Sequence, residues 1–217
     1  MPKIALVLSG CGVQDGAEIH ESVLCLLALQ QAGAEVVCCA PDMEFTSVNH
    51  ATGKPGEKRN VLVESARIAR GRITDIAKVA AKDVDAAVLP GGFGAAKNLC
   101  TFAVDGANCK VNEPTAKLLR DLHAAGKPIG AACIAPALVA KIFGGDAHPE
   151  LTIGNDAGTA KALESMGAKH KTATAAQAVV DRKNRIVTTP AYMCAKDAAE
   201  AWPGIEAMVK EVMAMVK

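Results

Sequence analysis

Aromatic residues are scarce: one Trp, one Tyr and four Phe, together 3% of 217 residues. Base-stacking platforms and aromatic cages consume such residues, so single-stranded nucleic acids and quaternary ammonium ligands are poor fits. Net charge is lacking too. Lys+Arg 24 against Asp+Glu 23 leaves a formal +1, which is no electrostatic footprint for a polyanion or an anionic membrane. No apolar run approaches the ~18 residues of a membrane-spanning helix. The segment from Met1 to Ser9 has neither the length nor the flanks of a secretory signal. Neither nucleic acid nor membrane is expected as a partner.

Eight cysteines are present, yet C-x-x-C is missing and no cysteine pair lies near two histidines at zinc-finger spacing. Several cysteines sit in apolar runs, as in Val36 to Ala40, where a free thiol acts as a small hydrophobe. A chain of this length buries roughly 70% of the surface that its unfolded form exposes, so it needs no staples. P-loop and dinucleotide fingerprints are also missing. These absences predict one domain spanning residues 1–217, without metal or cofactor, in a reducing cytoplasmic compartment.

What is present is an alternation of short apolar runs and amphipathic stretches. Ile4 to Leu8, Glu35 to Ala40, Val84 to Leu89 and Ile129 to Ala132 read as buried strands. Glu18 to Ala32, Glu113 to Ala125 and Ala135 to Phe143 read as helices, and a last helix runs from about Gly204 to Val216. Ala178 to Asp181 and Arg185 to Thr189 flank Arg182-Lys183-Asn184 and read as a hairpin. The expected architecture is α/β: a three-layer sandwich around a mostly parallel sheet, with a small C-terminal hairpin. Two polar stretches, Asp42 to Asn60 and Phe93 to Asn112, fit the alternation badly. Both follow the C-terminal end of a strand, the edge where such sheets bind ligands, so they read as lids.

The most informative stretch is Lys127 to Ala137. A strand runs into a helix with almost no loop, and Cys133 occupies the corner among Gly130, Ala131, Ala132 and Ala135. That is the pattern of a nucleophile elbow. A thiol before a helix N-terminus is expected to favour its thiolate form. An attacked carbonyl needs donors for its developing oxyanion. The glycines of Leu89 to Gly94 let backbone N–H groups approach closely, so Gly92 and Ile134 are the candidate donors. Glu18 and Glu21, in the first turns of the first helix, are candidates for proton transfer. His148, fifteen residues past Cys133, lies in a Gly144-Gly145-Asp146 turn before Pro149. A surface position away from the elbow is expected for it.

These features together resemble the ThiJ/PfpI, class I glutamine amidotransferase-like superfamily, and within it the ElbB-type, glyoxalase-like or isoprenoid-biosynthesis-like branch. The carriers are Leu8 to Val13, Asp15 to Glu21, Arg59 to Leu62, Pro90 to Asn98, Cys133 to Pro136 and Thr188 to Met193. The resemblance covers essentially the whole chain. It implies a flavodoxin-like sandwich and a homodimer, with Cys133 as elbow nucleophile and Gly92 and Ile134 as oxyanion-hole positions. The superfamily's acidic residue stands twelve residues before the glycine that ends the first helix. Counting back from Gly33 selects Glu21 over Glu18. Where Cys-His members of the superfamily place a histidine, this chain has Leu151 to Asp156 without one. The resemblance therefore implies a cofactor-independent glyoxalase-like enzyme that turns small dicarbonyls such as glyoxal into 2-hydroxy acids such as glycolate. The alternative is a dimer that senses oxidants or carbonyls through the same cysteine.

Overall fold

Strand β1 (Lys3–Val7) shows why the sheet is central. Ile4 and Leu6 pack into one apolar core while Ala5 and Val7 pack into another, all fully buried. A strand buried on both faces reads as an unbroken apolar run rather than an alternating one. In chain order the computed structural model, which describes residues 1–216, continues with α1 (Ile19–Gln31), β2 (Glu35–Ala40), β3 (Glu44–Val48), β4 (Pro55–Asn60), α2 (Val61–Ile68) and β5 (Thr74–Asp75). Then come β6 (Ala86–Leu89), α3 (Phe93–Lys97), α4 (Phe102–Asp105), α5 (Glu113–Ala124), β7 (Ile129–Ala132) and α6 (Pro136–Phe143). The chain ends with β8 (Glu150–Leu151), α7 (Ala157–Ser165), β9 (Lys169–His170), β10 (Val179–Asp181), β11 (Ile186–Thr189) and α8 (Ala198–Met215).

Seven strands form the main sheet in the order β10-β11-β7-β6-β1-β2-β5. All neighbours are parallel except β10 and β11, the expected hairpin at one edge. Helices α1 and α8 cover one face through Cys25, Leu29, Ile205, Met208 and Val212. Helices α5 and α6 cover the other through Leu118, Leu119, Leu122 and Leu138. This is the expected flavodoxin-like three-layer sandwich.

Three expectations change. The stretch from Asp42 to Asn60 is not an irregular lid but the antiparallel ribbon β3–β4. Its strands carry Glu44, Glu57, Lys58 and Arg59 on solvated faces, so no apolar alternation betrays them. The stretch from Phe93 to Asn112 is not bare loop either, but holds α3, α4 and a single tight turn at Gly106–Asn108. Helix α8 starts at Ala198, well before Gly204, and carries Pro203 inside it. Trp202-Pro203-Gly204 reads as a stop, but the Asp197 side chain caps the helix by accepting from Glu200 N at 2.9 Å, which fixes an earlier start.

Candidate active site

Cys133 stands between β7 and α6 with a backbone φ of +58°. A left-handed conformation costs a non-glycine residue roughly 1–2 kcal/mol, and neighbours on both sides hold it. Its N–H donates to Thr189 O of β11 at 2.9 Å, and Ala135 N closes the turn onto Ala132 O at 2.9 Å. Ala131, Ala132 and Ala135 are buried at the corner. The elbow read in the sequence is formed.

Glu21 reaches this corner from the first turn of α1 and is fully buried. Its Oε2 accepts from Gly91 N at 2.8 Å and its Oε1 from Tyr192 N at 3.2 Å. Its carboxyl also lies beside the Cys133 thiol, and each acts on the other's ionisation. Gly91 is the spacer between them. A Cβ at that position would lie 2.4 Å from Cys133 Cβ and 2.9 Å from Glu21 Oε2, so only glycine lets the two groups meet. Gly92 follows with φ +88°, and its N–H and that of Ile134 favour the ionised form of the Cys133 sulfur. Glu21, Gly92 and Ile134 thus all act on the Cys133 sulfur.

Glu18 does something else. It is the N-cap of α1, with Oε2 accepting from Glu21 N at 2.6 Å. Its own N–H donates to Gly91 O at 3.0 Å. One glutamate builds the helix start, and the next presents a buried carboxyl to the thiol.

The electrostatics follow from burial. Removal from water pushes the Glu21 carboxyl up to about 7, assisted by the Glu18 charge and opposed by the Tyr192 and Gly91 N–H donors and the neighbouring Cys133 thiol. Burial also holds the Cys133 thiol well above its ordinary value, and the Glu21 charge adds to it, against the N–H groups of Gly92 and Ile134. The expectation of a resting thiolate is therefore corrected. Cys133 precedes the α6 N-cap, Ala135, by two residues, and burial outweighs whatever the helix end supplies. Two acids this close share their protons and titrate as a pair. Near neutrality the pair loses one proton and resists losing the second. Alkylation of Cys133 by iodoacetamide is expected to rise through pH of about 7 and then level off until much higher pH. Rates measured across pH on wild type and Glu21→Gln check this, since the first step should vanish in the variant.

His148 is exposed, with Nδ1 at 2.9 Å from Gly167 O, and stands apart from the groups around Cys133. Asp156 caps α7 by accepting from Thr159 N at 2.7 Å, so it supplies no base. The sequence reading passed over His20, whose Nδ1 lies 2.7 Å from Tyr192 Oη. Tyr192 is the residue whose backbone N–H holds Glu21, so this pair sits at the margin of the site. Adjacency to Glu21 was the only signal in the sequence. Asn98 was passed over as well: its buried Nδ2 donates to Ser9 O and Asp15 O, both at 2.8 Å. It ties the loop before α1 to the end of α3, and so to Gly92.

No family model matches the chain. A human protein named glutamine amidotransferase-like class 1 domain-containing protein 3, mitochondrial, is 52% identical over 223 residues, covering 97% of this chain and 82% of its own length. The crystal structure of an isoprenoid biosynthesis protein with an amidotransferase-like domain from Ehrlichia chaffeensis superposes with a TM-score of 0.90 at 36% identity, covering 98% and 99% of the two chains. Drosophila melanogaster DJ-1beta, at 20% identity and a TM-score of 0.55 over 99% and 96% of the chains, shares the fold. These names overturn the cytoplasmic expectation: the human relative is named mitochondrial, as are rat and zebrafish relatives. Free thiols report a reducing environment and do not say which compartment provides it.

Proposed function

Because the chain belongs to the glutamine amidotransferase-like class 1 domain family of the DJ-1/ThiJ/PfpI superfamily, we propose that it is a cofactor-independent, glyoxalase-like enzyme acting on small dicarbonyls such as glyoxal. The observation that carries this reading is the buried Glu21 carboxyl set beside the Cys133 thiol across Gly91. An acid that titrates near neutrality is suited to both accepting and returning a proton. The amidotransferase name alone argues less. A glutaminase of the Cys-His type needs an imidazole on the sulfur, and the charge acting on Cys133 comes from Glu21.

In the proposed cycle Glu21 takes the thiol proton as the sulfur adds to one aldehyde carbon. The carbonyl electron pair moves to oxygen, which the Gly92 and Ile134 N–H groups receive as the sulfur, now neutral, ceases to be a strong acceptor. Protonation of that oxygen by Glu21 gives a hemithioacetal. Glu21 then removes the proton from the sulfur-bearing carbon and returns it to the neighbouring one, while the hydroxyl proton of the first carbon passes to the oxygen of the second through an enediol. The first carbon is oxidised to a thioester as the second is reduced to an alcohol, so no external oxidant enters. Water cleaves the thioester, releasing glycolate and the free thiol.

Incubation with glyoxal is expected to yield many equivalents of glycolate per Cys133, with the protein mass unchanged at the end. A permanent mass increment on Cys133 without glycolate would overturn turnover and leave the sensing role instead.

A further inference from the structure

Two buried thiols outside this site face each other at the neck of a loop. Thr101 N donates to Lys110 O at 2.9 Å, Asn112 N to Leu99 O at 2.8 Å, and Lys110 N to Thr101 Oγ1 at 3.0 Å. Cys100 forms an isolated antiparallel bridge with Val111. Residues 99–101 and 110–112 therefore run antiparallel and pinch off the segment that holds α4. Cys100 and Cys109 lie inside the pinch, 3% and 1% exposed. Cys109, two residues before Val111, falls on the same side of this ladder as Cys100, each thiol bears on the other's ionisation, and Cys100 Sγ donates to Ala95 O at 3.3 Å.

A pair of apolar cysteines would fill space equally well without a charge beside it. Here Lys141 of α6 reaches over the loop, with Nζ donating to Ala107 O at 3.0 Å. Burial pushes both thiols up, and the Lys141 charge offsets part of that at Cys109. Cys109 is thus the member that ionises first. Its cover is thin, because Asn108 and Lys110 on either side are exposed, as are Ala103, Val104 and Asp105.

We propose that Cys100 and Cys109 are a peroxide-reactive dithiol that closes reversibly to a disulfide, a redox site separate from Cys133. The Cys109 thiolate attacks one oxygen of hydrogen peroxide, breaking the O–O bond and expelling hydroxide, and becomes a sulfenic acid. The Cys100 sulfur then attacks the Cys109 sulfur, the S–O bond breaks, and the Cys100 proton leaves with the departing oxygen as water. The sum is two thiols and one peroxide giving one disulfide and two waters. Two thiols on one side of this narrow ladder, close enough to act on each other's ionisation, are placed for side-chain rotation to bring the sulfurs to bonding distance. The disulfide would lock the base of the segment that holds α4.

Trypsin cuts after Lys97 and Lys110, so both cysteines fall on the single peptide 98–110. After brief exposure of the folded protein to hydrogen peroxide, this peptide is expected to lose two hydrogens and to refuse N-ethylmaleimide until dithiothreitol is added. Cys109→Ser should abolish the change. Cys100→Ser should leave a Cys109 sulfenic acid that dimedone traps. Cys133→Ser should leave disulfide formation unchanged. Peptide 98–110 remaining fully alkylatable after Cys133 has been oxidised would overturn the proposal, as would a disulfide from either cysteine to another partner.

Discussion

Truncating Cys133 to alanine is expected to abolish conversion of glyoxal to glycolate, a loss of at least about 10³-fold for removal of a covalent nucleophile. No other thiol can take its place. Cys25, one helical turn beyond Glu21, is fully buried in the core beneath α1 and is pushed far up by that burial. Cys11 and Cys194 are half-exposed, but neither acts on Glu21. The fold should survive. Alanine keeps the Cβ that packs against Gly91, and it carries the same left-handed strain as cysteine at φ +58°. Product formation by chromatography measures the loss, and an unchanged far-ultraviolet circular dichroism spectrum shows that it is chemical. Turnover within tenfold of wild type would remove Cys133 from the reaction.

The legibility of this chain followed burial. Strands β1, β6 and β7 are buried on both faces, so each appears in the sequence as a short apolar run between turn residues. The corner at Cys133 was legible because its small neighbours have no other obvious purpose. The ribbon β3–β4 was not, since its charged side chains are exposed and its backbone pairing leaves no apolar alternation in the sequence. Nor could local pattern separate Glu18 from Glu21. Both are acidic residues at one helix start, where either complements the dipole. What distinguishes them is that Gly91 and Tyr192, distant in the chain, bring their N–H groups to Glu21. Spacing borrowed from a family resemblance pointed to the carboxyl that lies beside Cys133; residue chemistry alone did not. The ionisation of Cys133 failed for the same reason. A helix end is visible in sequence, whereas complete burial beside another acid is a property of the folded chain.

Glu21→Gln is expected to lower turnover by a factor of about 10² or more, the usual loss for a general acid/base, and to change how stability depends on pH. Glu18→Gln keeps a cap oxygen for Glu21 N and should stay within a few-fold of wild type. The stability argument has a definite sign. Folding raises the Glu21 carboxyl from an ordinary 4.5 to about 7, so between those values the folded protein holds a proton that the unfolded chain has released. Stability from this group is fully present below pH of about 4.5 and is lost as pH rises through about 7. The shift corresponds to on the order of 3 kcal/mol. Glutamine has no proton to lose. It does leave an amide where a carboxylate oxygen accepted from Gly91 or Tyr192, a penalty that is constant with pH. The informative quantity is therefore the wild-type-minus-variant difference in urea unfolding free energy, measured from pH 5 to pH 8. It should move in favour of glutamine as the pH rises and flatten above neutrality. A difference that stays constant across this range would mean that Glu21 is an ordinary carboxylate in the folded protein. The proton carrier of the proposed cycle would then have to be another group.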